Sequence, residues 1–356
     1  MNEDHPSISV QGAVCPMPLR HYDQIVMGHG SGGRMTQELI QQCFAPYFSN
    51  PALDAGNDFA SLVVPPGQSL TVSTDAHIVS PLVFPGGDIG RLAVCGTVND
   101  VSMSGATPIG LTASFIIEEG FSTDLLKKIV QSMAQAAHEA GVSIVAGDTK
   151  VVERGKADGL FITTSGFGFC PDQLTIGGAE AKPGDVVLIS GSMGDHGVAV
   201  LAARGDLAFE TRIESDVAPL NHLIHEVLDV APHTHVLRDP TRGGLATTLN
   251  EIAVQSQVNI TIDEKAVPVL PAVRTACEML GFDPLYVANE GKVIVILPEN
   301  EAESALQAMK KTPYGINACI IGRVNAAPAG RVLLKTQIGA TRVLDMMAGE
   351  MLPRIC

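Results

Sequence analysis

The sequence predicts two α/β-sandwich domains in tandem, an α+β architecture, followed by a flexible C-terminal tail. Three observations predict it. The chain has 356 residues, enough for roughly two domains of about 100–200 residues each. Hydrophobic residues make up 46% and charged residues 17%, so each half can bury a core. Strand-like and helix-like runs interleave irregularly in both halves, as in layered sheet-and-helix folds.

Residues 1–24 read as an irregular stretch with three prolines. GHGSGGR (28–34) opens a helix pattern through MTQELIQQCFAPYF. FASLVV (59–64) and SLTVST (69–74) read as strands around a PPG turn. IGRLAVCGTVNDVSMSG (89–105) reads as a helix packed closely on a sheet, and TASFIIEE (112–119) as a strand. TDLLKKIVQSMAQAAHEAG (123–141) is an amphipathic helix with Ser122 or Thr123 as cap and Gly141 as stop. The strands SIVAGDTKVV and GLFITTSGFGF complete the first half. KPGD (182–185) is a turn before the strand VVLIS; GSMGDHG (191–197), helices and a DPTRGG loop follow. TRVLDMMAGEMLPRIC reads as an extended tail interrupted at Gly349 and Pro353. The expected division is an N-terminal extension over 1–27, a first domain over 28–175, a second over 176–330, and a tail over 331–356.

Charge and composition exclude several classes. Net charge is -15, from 23 basic and 38 acidic residues, which disfavours nucleic acid and anionic lipid as partners. Four Tyr, eleven Phe and no Trp leave few stacking platforms for bases. An acidic protein that handles nucleotides needs cations to bring in phosphates, which points to Mg²⁺. No apolar run approaches the ~20 residues of a membrane span. The opening MNEDHPSISV lacks a basic n-region and an apolar h-region, so no secretory signal is expected. Seven dispersed cysteines without a CxxC pair suit reduced thiols in the cytoplasm. Five read as small core residues, whereas Cys15 and Cys356 fall in terminal segments.

Several motifs could carry chemistry. The glycines of GHGSGGR, ahead of a helix, read either as a plain turn or as a loop whose backbone N–H groups approach phosphate. The loop is neither a P-loop nor a Rossmann fingerprint. Asp58, Asp75, Asp100 and Asp148 each stand among small residues at strand ends or loops. Singly such an acid is a turn or cap residue; together they read as oxygen ligands for a metal-nucleotide site. RDPTRGG (238–244) combines Asp239 and Arg242 with two glycines before a helix, and NEGK (289–292) places Glu290 at a strand end. Cys356 is the last residue of PRIC, which has neither a C-a-a-X order nor a polybasic run, so prenylation is not expected. Next to its own α-carboxylate the thiol is expected to have a raised pKa unless a cation offsets it.

Together HGSGGR, STDAHIVSPLVFPGGDIGRLAVCGTVNDVSMSGA, VAGDTKVVERG, SGSMGDHG, RDPTRGGL, ANEGK and LPRIC resemble the HypE family, the carbamoyl dehydratases of nickel–iron hydrogenase maturation. The matching runs extend from residue 29 to 356, and the closing PRIC is the most specific. The resemblance implies a PurM-like (AIR synthetase-like) two-domain fold, a homodimer formed through N-terminal domain sheets, and ATP with Mg²⁺ at the interface. It also implies a chemistry: a partner, HypF, delivers a carbamoyl group to the terminal thiol. ATP phosphorylates the carboxamide oxygen, loss of phosphate leaves a thiocyanate, and the cyanide passes to iron on a HypC–HypD complex.

Carried over by motif, Asp58, Asp75, Asp100 and Asp148 would hold Mg²⁺ and the ATP phosphates, with Gly30, Ser31, Gly32 and Gly33 closing over them. Lys150 would stabilise developing charge, Glu290 would take a proton, and Asp239 and Arg242 would line the same cleft. Cys356 would swing in and out on its tail. Two departures stand out: His77 replaces an expected aromatic residue, and VCPMPL around Cys15 resembles a sulfur-carrier motif with no carrier domain after it. The rival reading is a selenophosphate synthetase-like phosphotransferase. It calls for a reactive Cys and a Lys beside the glycine loop, where this chain has Arg34, and it leaves PRIC unexplained.

Overall fold

A computed structural model describes residues 23–55, 60–205, 213–346 and 354–356. Cys15, Asp58, Gly349 and Pro353 lie outside the described residues.

The first domain is built on four long strands: β1 (Gln68–His77), β2 (Thr107–Glu118), β3 (Ser143–Val152) and β4 (Leu160–Pro171). They lie in the order β1-β4-β2-β3, with β2 and β3 parallel and the other pairs antiparallel. Helices α1 (Ile89–Ser102) and α2 (Thr123–Ala140) cover one face. The Asp88 carboxylate caps α1 by accepting from Gly90 N and Arg91 N at 2.7 and 2.9 Å. Ser122 caps α2, and Gly141 ends it in the left-handed region at φ 72°. Leu126, Ile129, Val130 and Met133 turn one stripe of α2 inward, fully buried. Burying each contributes roughly 1.5–3 kcal/mol.

The other face of this sheet is open in the single chain. Leu70 and Val72 of β1 and Ile116 of β2 point there, 45%, 56% and 41% exposed. Strand pairing aligns Ala76, Thr163, Ser114 and Asp148 in one row across all four strands. Side chains alternate between faces, so Asp75 points to the helix-covered side and Asp148 to the open side.

The second domain has seven strands: β5 (Val186–Ile189), β6 (Val236–Arg238), β7 (Asn259–Asp263), β8 (Ile294–Leu297), β9 (Cys319–Asn325), β10 (Arg331–Lys335) and β11 (Thr341–Val343). Their order is β11-β10-β7-β9-β5-β8-β6. Central strands β5 and β8 are buried at every residue, because helices cover both faces. Val187 and Ile189 share a cluster with α5 (Gly244–Gln255), while Val186 and Leu188 share another with α4 (Asn221–Val230) and α7 (Glu299–Lys310). Helix α3 (Asp195–Ala203) leaves the GSMGDHG loop and packs on α6 (Pro271–Leu280).

Four expectations shift. Residues 60–65 form no strand, and Val63 is 87% exposed. The helix after the glycine loop keeps its expected extent, Arg34 to Phe48, but widens into a π-helical turn over Ile40–Phe44. Residues 331–343, expected as tail, supply β10 and β11 to the second sheet. The extension ends before residue 27, since Ile25 is fully buried and its N–H donates to Phe121 O at 2.7 Å.

The domains interlock through α1. Asn99 donates to Ala218 O at 3.0 Å and accepts from Leu220 N at 2.8 Å. Arg91 reaches Val217 O at 3.0 Å while pairing with Glu139 at 2.8 Å. These bonds set the cleft between the two domains.

Candidate active site

The cleft is built from β1, α1 and three second-domain loops. Ser73, facing α1 from β1, donates to Asp100 Oδ2 at 2.9 Å. Across from them the RDPTRGG loop turns into α5 through Gly243 and Gly244, both at positive φ. A side chain at Gly244 would strike Leu285 O and Val287 O, each 2.7 Å away, so the turn requires glycine. A cavity of about 540 Å³ opens there, lined among others by Ser73, Asp100, Arg238, Asp239, Arg242 and Glu251.

Asp239 and Asp100 on the cavity wall, with Asp75 nearby, act on one another's charge. Burial, then the charge of Asp100, pushes Asp239 up to about 7. Burial also raises Asp100, with Asp75 adding to the rise and Arg238 and Arg242 opposing it. Buried Asp100 and Asp239, each raised further by a neighbouring carboxylate, are poised for positive charge.

Glu290 stands beside them, 5% exposed. Burial raises its carboxyl well above the ordinary range, reinforced by Asp239, Asp216, Asp75 and Asp100. Among the described residues its Oε1 has no hydrogen-bond partner. The backbone beneath is fixed by Asp216, which accepts from Glu290 N and Gly291 N, both at 3.2 Å. Burial opposes ionisation of Asp216, but Lys292 at 3.0 Å and His196 outweigh it and hold the carboxyl low. Asn289 ties the loops together: its amide donates to Pro240 O at 3.0 Å, and its oxygen accepts from Gly194 N at 2.7 Å. Gly291 is obligatory, because a Cβ there would meet Asp216 O at 1.8 Å.

Cys356 completes the group. Its thiol sits beside the Glu290 carboxyl, and burial first, then Glu290, pushes its pKa far up, with Arg242 opposing. The tail is docked: Ile355 is 4% exposed, and its carbonyl takes a hydrogen bond from His196 Nε2 at 2.8 Å.

Of the sequence-derived residues, Asp75, Asp100, Asp239, Arg242, Glu290 and Cys356 therefore share one cleft. Asp148, Lys150 and the glycine loop do not. Asp148 and Lys150 pair with each other at 2.8 Å on β3, 60% and 64% exposed. Gly30 of the loop packs against the same strand, where a Cβ would lie 2.6 Å from Val151 N. Strand β3 is the far edge of the sheet, three strand spacings or about 14 Å from β1. Its polar side chains also point to the opposite face. Lys150 thus does not flank Glu290 within one chain, and Asp148 does not join Asp75 and Asp100. Among the described residues no group of three His, Cys, Asp or Glu side chains is arranged to hold a metal ion. The expected four-carboxylate metal set is not assembled in a single chain.

His77 is not a cleft-facing residue. It is 1% exposed, packed against Gly96 with Nε2 3.8 Å from Asp75 Oδ2, and burial lowers its pKa. Sequence reasoning missed Asn289, Lys292, His196, Arg204 and Asp216. The first two sit inside NEGK, and His196 inside GSMGDHG, so their motifs were visible without their roles. Asp216 has no local signature.

Residues 56–170 and 182–335 match the N-terminal and C-terminal domain models of AIR synthase related proteins. A curated relative from Cupriavidus necator, a carbamoyl dehydratase HypE, is 56% identical over 333 residues, covering 94% of this chain and 95% of its own. A crystal structure of hydrogenase maturation protein HypE in complex with ATP superposes with a TM-score of 0.89 at 51% identity, covering 93% of this chain and 99% of that one. A HypE–HypF complex structure matches with a TM-score of 0.76 at 53% identity, covering 87% and 99%.

Proposed function

The chain belongs to the HypE family of carbamoyl dehydratases, and from that premise we propose that it converts a carbamoyl group on its own Cys356 to a thiocyanate in the Glu290 cleft. The observation that carries this reading is the docked tail, which sets the Cys356 thiol beside Glu290. A docked S-carbamoyl group extends one carbon beyond that sulfur, into reach of Glu290 and the carboxylate cavity.

The reaction balances as follows. The carboxamide oxygen takes the terminal phosphoryl group of ATP and leaves with it as phosphate. The two nitrogen protons are lost, and S–C(=O)NH₂ becomes S–C≡N with ADP released. Glu290 is placed to accept a nitrogen proton, and its raised basicity makes it an effective acceptor once ionised. Arg242, whose charge already acts on Cys356 and Asp100, would balance negative charge as phosphate departs.

Asp75, Asp100 and Asp239 fit Mg²⁺ in one particular way. Magnesium is commonly held by one or two carboxylates together with substrate phosphates, so a protein cage is not required. Asp100 and Asp239, raised by burial and by neighbouring carboxylates, are donors whose crowding such an ion would relieve. When bound, the ion would offset charge on the transferring phosphoryl group.

The second half of the phosphate site would come from a second copy. The open face of the first sheet bears Leu70, Val72 and Ile116, and Asp148, Lys150 and the glycine loop occupy its far edge. Apposing two such faces would bury this apolar surface and carry one chain's β3 toward its partner's β1. Lys150 would then serve the partner's Glu290. Delivery of the carbamoyl group by HypF, and transfer of cyanide to an iron-bearing HypC–HypD assembly, complete the proposed cycle. A HypE–HypF complex among the similar structures supports the first of these contacts.

Intact-protein mass spectrometry of the S-carbamoylated chain tests the proposal. Adding MgATP is expected to remove one water, mapped to Cys356, with ADP and phosphate released. A mass loss on another residue would overturn it.

A further inference from the structure

The last three residues dock through contacts that leave the thiol out. Ser80 N donates to Arg354 O at 3.2 Å and Ile78 N to Cys356 O at 3.4 Å. The tail therefore lies antiparallel along residues 78–80. Arg204, at the C-terminal end of α3, bridges both sides: Nε donates to Ser80 O and Nη2 to Arg354 O, each at 2.7 Å. His196, in the first turn of the same helix, donates from Nε2 to Ile355 O at 2.8 Å. The carbonyl can only accept, so Nε2 carries the proton; Nδ1 of the neutral ring then accepts from Ser215 Oγ, 2.8 Å away, whose oxygen accepts from Val217 N at 3.1 Å. The edge of His196 also meets the Phe84 ring, with centroids 5.4 Å apart. Ile355 enters the apolar cluster that contains Val79, Val200, Val217 and Ala288.

We propose that His196 and Arg204 are positioning residues that clasp the docked tail by its backbone carbonyls, whatever group the thiol carries. The two sit two turns apart on one helix and seize consecutive carbonyls, those of Ile355 and Arg354. Their bonds are to main chain, and the Ile355 pocket reads only the penultimate side chain. A free thiol, its carbamoyl form and its cyano form thus dock with the same register, and each presents the sulfur substituent to Glu290. The inference rests on the reading of Cys356 as carrier, but docking requires no turnover.

Amide hydrogen exchange at Ile78 and Ser80, without nucleotide, reads docking directly, because both N–H groups donate to tail carbonyls. Full-length protein with a free Cys356 and protein carbamidomethylated at Cys356 are expected to protect both amides to the same degree, within about twofold. His196→Phe and Arg204→Leu are each expected to reduce that protection about tenfold, the scale of one lost buried hydrogen bond. Arg204→Lys should restore part of it. In a chain lacking residues 354–356 the same substitutions should change nothing further at Ile78 and Ser80. Leu188 and Val295 in the second sheet serve as folding controls. Unchanged Ile78 and Ser80 protection in the clasp variants, or loss of protection on alkylation alone, overturns the proposal. A failure of dehydration with protection intact would instead count against the catalytic reading.

Discussion

The Cys356 thiol lies beside the Glu290 carboxyl, whose charge adds to burial in raising the cost of ionising the thiol. Docking thereby places the sulfur at the proposed proton acceptor and keeps the unmodified thiol protonated.

The first consequence concerns reactivity. A thiolate is the nucleophile, and burial together with Glu290 suppresses it in the docked tail. At about pH 8, Cys356 in the folded protein should alkylate at least roughly tenfold more slowly than in a free peptide ending in PRIC. Peptide-resolved alkylation rates check this, and equal rates would contradict it. Acceptance of the carbamoyl group therefore belongs to an undocked tail.

The second concerns stoichiometry. With Lys150 on the far edge of the first sheet and Glu290 in a second-domain loop at the cleft beside the opposite edge, each site of the proposed dimer takes one residue from each chain. Lys150→Ala and Glu290→Gln proteins should each be nearly inactive alone. Mixed after unfolding and refolding, they should recover about a quarter of wild-type activity: random pairing makes half the dimers mixed, each with one intact site. No recovery would place both residues in the same chain's site.

The third concerns pH. Asp239 is pushed up to about 7 by burial and Asp100, whereas an unfolded Asp titrates near about 3.9. Between roughly pH 4 and 7 the unfolded chain has released a proton that the folded chain keeps, so this group makes ligand-free stability fall as pH rises. Above about 7 its contribution is flat. His77 and His196, lowered by burial, act in the opposite direction below about 6.5, where an unfolded His still holds its proton. Urea midpoints of wild type and Asp239→Asn at about pH 4.5 and 8 isolate the carboxyl. The variant should gain stability relative to wild type at the higher pH. A difference independent of pH would remove Asp239 from the crowded cluster.

Much of the architecture was legible because its signals are local. Ser122 and Gly141 bracket α2, and the ten residues SIVAGDTKVV form β3. The cleft residues were legible through motifs whose glycines are forced by close contact, as at Gly244 and Gly291. What local signals cannot carry is the face and edge to which a strand is assigned. Asp75 and Asp148 look alike in sequence, each between small residues, yet strand order and side-chain alternation separate them. The Asp216 support under Glu290 is equally hidden, because it comes from a connecting segment without a motif. Residues 331–343 looked like tail because two short strands, the second forming the sheet edge, have weak periodicity.

The central claim is that Glu290 accepts a proton from the carboxamide carried on Cys356. The most direct measurement is single-turnover dehydration of S-carbamoylated protein after mixing with MgATP, followed by intact mass, with ATP binding measured in parallel. Glu290→Gln should bind ATP as wild type does and lose dehydration by about 10²-fold or more, the scale of a positioned general base. A Glu290→Gln protein that forms the thiocyanate at the wild-type rate would contradict the account.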